Sequence, residues 1–216
     1  DRTSLGGEDP VVTLPHRLPD PVQEPPPTLH ARASDDLHFI RATMERAAAF
    51  TAVPGWGGVL MGVIALFAAF AAAEAATPTG WLVTWICAAA LALLVGATDM
   101  ANKLRAGGNS LLRGPATRFA SALVPPVAAG ALLTLGLGRA GLYDVLPGAW
   151  LLCYGAGGVS AGALSTISVR WMGACFMLFG AAALLSPASW GNAWMAAGFG
   201  GLHVLFGIWI ARHHDG

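Results

Sequence analysis

Charge is what this chain has least of. Only 11% of its 216 residues are Asp, Glu, Lys or Arg, twelve basic against twelve acidic, where soluble domains carry about a quarter. The neutral balance excludes a basic nucleic-acid binder, and a hydrophobic content of 55% excludes an acidic disordered protein. Cysteine is as sparse: Cys87, Cys153 and Cys175 lie inside apolar blocks, with no CxxC or Cys/His spacing among them. A disulfide scaffold, a zinc site and a redox motif are excluded on that ground, since such thiols behave as small, inert hydrophobes. Enzyme signatures are missing as well: there is no GxSxG, no HExxH, no aspartate pair inside an apolar block and no carboxylate cluster suited to a metal.

What the chain does have is long apolar runs. Six blocks cover 54–73, 81–98, 119–137, 145–164, 171–185 and 190–211. Crossing about 30 Å of hydrocarbon takes about 20 helical residues at about 1.5 Å each. Five blocks meet that length, and the fifth in order does so only if Ser168 and Val169 extend it and Arg170 snorkels to the headgroups. The pattern predicts an all-α, polytopic membrane bundle of six transmembrane helices over 53–212, with antiparallel neighbours joined by short loops. Arg41, Arg46, Lys103, Arg105, Arg113, Arg118, Arg170 and Arg212 fall on the side of the N-terminus, the second and fourth loops and the C-terminus, against Arg139 alone on the other. That asymmetry predicts cytoplasmic termini. Trp81, Trp85, Trp150 and Trp190 near one set of span ends, and Trp56 and Trp171 near the other, match an interfacial aromatic belt.

Ahead of the spans, residues 1–34 hold seven of the 14 prolines, Pro25-Pro26-Pro27 among them. Such a segment cannot build a core and favours polyproline II; it reads as a disordered cytoplasmic tail that either stays solvated or wraps along a partner surface. Ser34-Asp35-Asp36 then supplies a helix start, with carboxylates where the dipole favours them. Leu37, Ile40, Met44 and Thr51 form one apolar stripe, and Arg41 pairs with Glu45 on a wetter face. An amphipathic surface helix is predicted over 35–52, ending before Pro54.

Glycine is the most distinctive local pattern. Gly55-Trp56-Gly57-Gly58, Gly155-Ala156-Gly157-Gly158 and Gly198-Phe199-Gly200-Gly201 open or interrupt three spans, followed by Gly62, Gly162 and Gly207. Glycines four apart clear a helix face for another backbone, which marks Gly58, Gly62, Gly158, Gly162, Gly200 and Gly201 as helix-packing positions. The alternative is a broken helix lining a cavity. The first and fourth spans share this pattern at a 100-residue offset, the arrangement an inverted repeat would have. Pro125-Pro126 inside the third span removes backbone donors, so that stretch is predicted to kink and to face protein.

Polar groups inside the membrane are costly, which makes them the candidate site. They are His203 in the sixth span, Asp99 with Lys103 at i+4 in the second, and Ser160, Ser165 and Arg170 around the end of the fourth. His203 reads as a neutral imidazole bonded to a carbonyl or hydroxyl, with Ser160, Ser165 or Asp99 as candidate partners. A proton- or solute-binding role and haem ligation are the alternatives. A bis-histidine haem lacks its second histidine at depth, so a methionine or a partner chain would have to complete it. No metal ligand set is found.

Two stretches, FIRATMERAAAFTAVPGWGGVLMG at 39–62 and GFGGLHVLFGIWIARHH at 198–214, together with the six-span layout, resemble a family of small bacterial membrane proteins of no assigned activity. The resemblance covers about a fifth of the chain and implies a bacterial inner-membrane protein; it carries over no functional residue. The expected function is that of a non-catalytic membrane subunit, scaffold or sensor packing against itself or a larger complex. A small transporter or channel using His203, Asp99 and the Pro125-Pro126 kink is the alternative, and a haem-binding protein the second. The expected partners are the lipid bilayer and further membrane subunits or copies of the chain.

Overall fold

The computed structural model describes Leu37, Ile40, Val53, residues 55–106 and residues 114–214. The chain divides after Ala42 into two units. In the first unit Leu37 and Ile40 are helical and exposed; the Pro-rich tail and the remainder of the amphipathic helix lie outside the described residues.

The second unit is helical throughout, with no strand among the described residues. Helix α1 spans Gly55–Ala73, α2 Pro78–Ala106, α3 Pro115–Arg139, α4 Leu146–Gly162 and α5 Ile167–Leu185. Helix α6 covers 191–214 in three parts: an α turn Gly191–Met195, a π-helical segment Ala196–Leu202, and an α-helix His203–His214. Prolines set several ends. Pro78 and Pro115 open α2 and α3, where a missing N–H costs nothing, and Gly114 takes the positive φ of 70° that leads into α3. At the end of α5, Ser186 stands extended before Pro187, which disfavours the helical region for its predecessor.

Five of these helices are long and apolar enough to span a membrane: α1, α2, α3, α5 and the stretch Ala188–His213 that contains α6. The block expected to be short is not the short one. Helix α5 reaches back through Ser168 to Ile167 and runs 19 residues, whereas α4 has 17. The cause lies at both ends of α4. Tyr143–Val145 forms a 3-10 turn before it, and Ala163 and Leu164, apolar but in a turn, leave the helix after Gly162.

Packing runs outside-in relative to a soluble protein. Phe67, Phe70, Leu93, Leu132, Leu178 and Leu185 are exposed large hydrophobics, surface that water would penalise and lipid would not. Small residues line the helix seams, and Phe176, Leu146, Leu151 and Met195 are fully buried between them. Helix α1 packs on α2 and α6, α4 packs on α3 and α5, and the π segment of α6 sits against α1 and α5. One core joins Ala65, Ala69 and Ala72 of α1 to Trp85, Leu151, Phe176 and Leu202. A second, nearer the end that carries Lys103, Arg118 and Arg170, joins Val53, Leu104, Phe119, Ala161, Val169 and Ile210.

The glycines that α1 and α4 share at the 100-residue offset meet different neighbours. A Cβ on Gly57 would meet Asp99 of α2, and one on Gly58 would meet Gly207 of α6. Their counterparts point elsewhere: Gly157 meets Leu123 and Pro126 of α3, and Gly158 meets Gly173 of α5.

Candidate functional site

His203 is buried at the first residue of the last α-helical part of α6. Its Nδ1 lies 2.9 Å from the Phe199 carbonyl oxygen and its Nε2 2.7 Å from the Tyr154 hydroxyl. A carbonyl only accepts, so Nδ1 carries the proton. The neutral ring then presents Nε2 as an acceptor, and Tyr154 donates to it. Both nitrogens are satisfied inside the protein.

Aromatic rings close around this pair. Tyr154 meets Phe176 edge-on at 4.8 Å and Phe199 at 5.2 Å, and Phe199 lies nearly parallel to the His203 ring at 15°. Phe176 is fully buried. These contacts fix the imidazole's orientation, and the apolar wall makes the hydrogen bond costly to lose. The partners expected from the sequence are not the ones found. Ser160 is exposed, Ser165 lies in the turn after α4, and Asp99 bonds elsewhere. Tyr154 was legible in principle, being a phenol in mid-block beside CYGAGG whose O–H needs a partner at that depth.

Asp99 and Lys103 work at the start of α1. Asp99 Oδ2 accepts the Gly57 N–H at 3.1 Å, and Lys103 Nζ donates to the Val53 carbonyl at 3.1 Å. The carboxylate therefore caps the first turn of a neighbouring helix, where unpaired N–H groups and the dipole favour an anion. Arg170 is exposed and its backbone closes on Gly162, where an added Cβ would stand 2.7 Å from its Cα. Pro126 faces Gly157 of α4 while Pro125 is exposed, so only one side of this stretch faces protein; α3 continues as one helix through both prolines.

A second polar node holds the far half of α6. Asn192 Oδ1 accepts the indole N–H of Trp81 and of Trp85, each at 3.1 Å, while its amide donates to the Ala69 carbonyl at 2.8 Å. Trp81 stacks on Trp150 at 5.7 Å, and Trp150 donates to Thr134 at 2.7 Å. Trp85 is buried in the core, so it is not part of an interfacial belt. Trp56, Trp171 and Trp190 are exposed, as a belt requires. Asn192 carries no hint in its sequence neighbourhood that two indoles from α2 converge on it.

Of the six glycines marked by their spacing, five are seats and one is not. An added Cβ on Gly62 would stand 2.7 Å from the Gly200 carbonyl oxygen, one on Gly58 3.4 Å from the Gly207 Cα, and one on Gly158 3.0 Å from the Gly173 Cα. These are backbone-to-backbone contacts, α1 with α6 and α4 with α5. Gly200 is hemmed in by Leu66, and Gly148 and Gly180 add seats that the four-residue spacing did not single out. Gly201 is the correction: nothing lies within 4 Å of its Cβ position, so it is no packing glycine.

No group of three or more His, Cys, Asp or Glu suited to a metal occurs among the described residues. Haem ligation through His203 would need Nε2, the atom Tyr154 engages. An open apolar groove of about 410 Å³ runs between α1 and α2 past Phe67 and Leu91, and His203 is not on its wall. Comparison with protein-family models, with curated proteins and with solved structures finds no match to this chain.

Proposed function

We propose that this chain is a non-catalytic subunit or scaffold of a larger membrane assembly, formed with further copies of itself or with other membrane subunits. The observation that carries the reading is the uneven burial of its helices. In their most apolar windows, 39% of α1, 33% of α5 and 39% of the α6 stretch is buried, against 6% in α2 and 6% in α3. Two of the longest helices, 29 and 25 residues, thus have few fully buried residues in these windows. Helix association in lipid rests on close packing and a few polar bonds, and α2 and α3 each pack mainly on one neighbour, α1 and α4.

A six-span layout supports the reading. The 3-10 turn Tyr143–Val145 runs directly into α4, and together they reach about 31 Å at the usual rises, the thickness of a hydrocarbon core. With six spans, the basic asymmetry favours both termini in the cytoplasm, and the resemblance of the two quoted stretches is the ground for a bacterial inner membrane. The Pro-rich tail would then be free to lie on a cytoplasmic partner. A transporter built on His203, Asp99 and Pro125-Pro126 is the weaker alternative, because His203 bonds to Tyr154, Asp99 to Gly57, and Pro126 packs against Gly157, none of them against one another.

The test is extraction of native membranes directly into lipid particles, without detergent, followed by native mass measurement. An assembly larger than one copy of the native chain is expected. A lone copy surrounded only by lipid would overturn the proposal.

A further inference from the structure

The π segment of α6 separates two fixed points. On one side Asn192 is held by Trp81, Trp85 and the Ala69 carbonyl. On the other, Gly207 is seated against α1, where an added Cβ would stand 2.7 Å from the Val59 nitrogen. Between them lie Ala196–Leu202 in π geometry and then His203. A π turn carries one residue more than an α turn can hold. Each residue of an α-helix advances the side-chain direction by about 100°. The surplus residue therefore sets which way every side chain between the two anchors points.

Three glycines fall within the seven π residues. Gly198 and Gly200 are accounted for by Leu151 and Leu66, which occupy the space of a side chain. Gly201 is not accounted for by any neighbour. What its missing Cβ leaves is backbone freedom, one residue before Leu202 and two before His203.

We propose that the π segment is a movable one-residue surplus, and that its passage from Ala196–Leu202 to the far side of His203 opens the His203–Tyr154 bond while Asn192 and Gly207 stay seated. In the described register His203 points at Tyr154. When the surplus sits between His203 and Gly207, the imidazole belongs to the upper register and turns by about 100°, taking Nε2 away from the phenol. The change turns residues 199–204, so Leu66 and the seat of Gly62 against the Gly200 carbonyl and Val204 must give with it. It gives the chain a two-state element in its core.

The experiment uses the full chain in bilayer nanodiscs with 15N-labelled histidine and tryptophan, the His203 signals being assigned by their loss in His203→Gln. Exchange on the μs–ms timescale is expected at the His203 ring, with the Trp81 and Trp85 indoles quiet. Deleting Gly201 should restore a continuous α-helix with both anchors in place, keep the fold and abolish the exchange. Tyr154→Phe, which keeps the ring packing, should raise the turned population about threefold or more, the usual worth of an interhelical hydrogen bond. A quiet His203 ring in the wild type overturns the proposal. So does exchange shared equally with the two indoles, or exchange that survives the deletion. A deletion variant that does not fold overturns it too, because Gly201 would then not be surplus.

Discussion

Removing the Tyr154 hydroxyl isolates the bond on which the candidate site rests. Tyr154→Phe leaves the edge-on contacts with Phe176 and Phe199 in place and takes away only the donor 2.7 Å from His203 Nε2. The acceptor is then stranded among aromatic rings. A buried group left unpaired costs about 1–3 kcal/mol, but interhelical bonds in membranes measure about 0.6 on average and about 1.7 at most. The enclosure of His203, whose residue is 5% exposed, argues for the upper part of that range, about 1–2 kcal/mol. His203→Phe keeps a ring stacked on Phe199 but also loses the bond to the Phe199 carbonyl, so its own cost is larger. The double variant subtracts that difference. Unfolding of all four proteins by steric trapping in bilayers should give a coupling of about 1 kcal/mol or more, the double variant being more stable than the sum of the singles implies. Strictly additive costs would show that the hydroxyl and the imidazole do not bond, and the site as described would fall.

Other variants test the remaining contacts. Gly62→Ala should destabilise by about 1–3 kcal/mol, because its Cβ would press on the Gly200 carbonyl and the Val204 nitrogen; Gly201→Ala should stay within about 0.5 kcal/mol in the same thermal assay. Asn192→Ala should leave two indole donors unpaired, with a loss of about 1–3 kcal/mol and a shift in tryptophan emission; an unchanged spectrum would contradict the node. Asp99→Ala should cost about 0.5–2 kcal/mol, the worth of a helix cap, and Asp99→Asn distinctly less because its carbonyl still accepts from Gly57. Equal losses would mean that the carboxylate does not cap α1.

Hydropathy and length made the helical blocks legible, since lipid demands them of any spanning segment. The ends of α4 were not legible, because Ala163 and Leu164 are as apolar in a turn as they would be in a helix. Glycine spacing located one half of each close contact, Gly58 and Gly158, yet gave no sign that α6 would receive one and α5 the other. Asp99 and Lys103 satisfied an i, i+4 rule so well that a pairing within their own helix was the natural reading; the backbone groups of Gly57 and Val53 that engage them lie more than 40 residues away. Trp85 looked interfacial from its place in the block, and only the position of Asn192 draws it inward. The π segment leaves no mark in sequence, since a five-residue backbone bond uses the same apolar and glycine residues as a four-residue one.

The most direct test of the proposed role is photo-crosslinking in native membranes at Leu93 on α2, Leu132 on α3 and Leu178 on α5, three leucines of similar exposure at 71%, 69% and 69%. If α2 and α3 are docking helices, probes at 93 and 132 will form adducts with protein, and the probe at 178 will label lipid. Lipid adducts alone at all three positions would contradict the account.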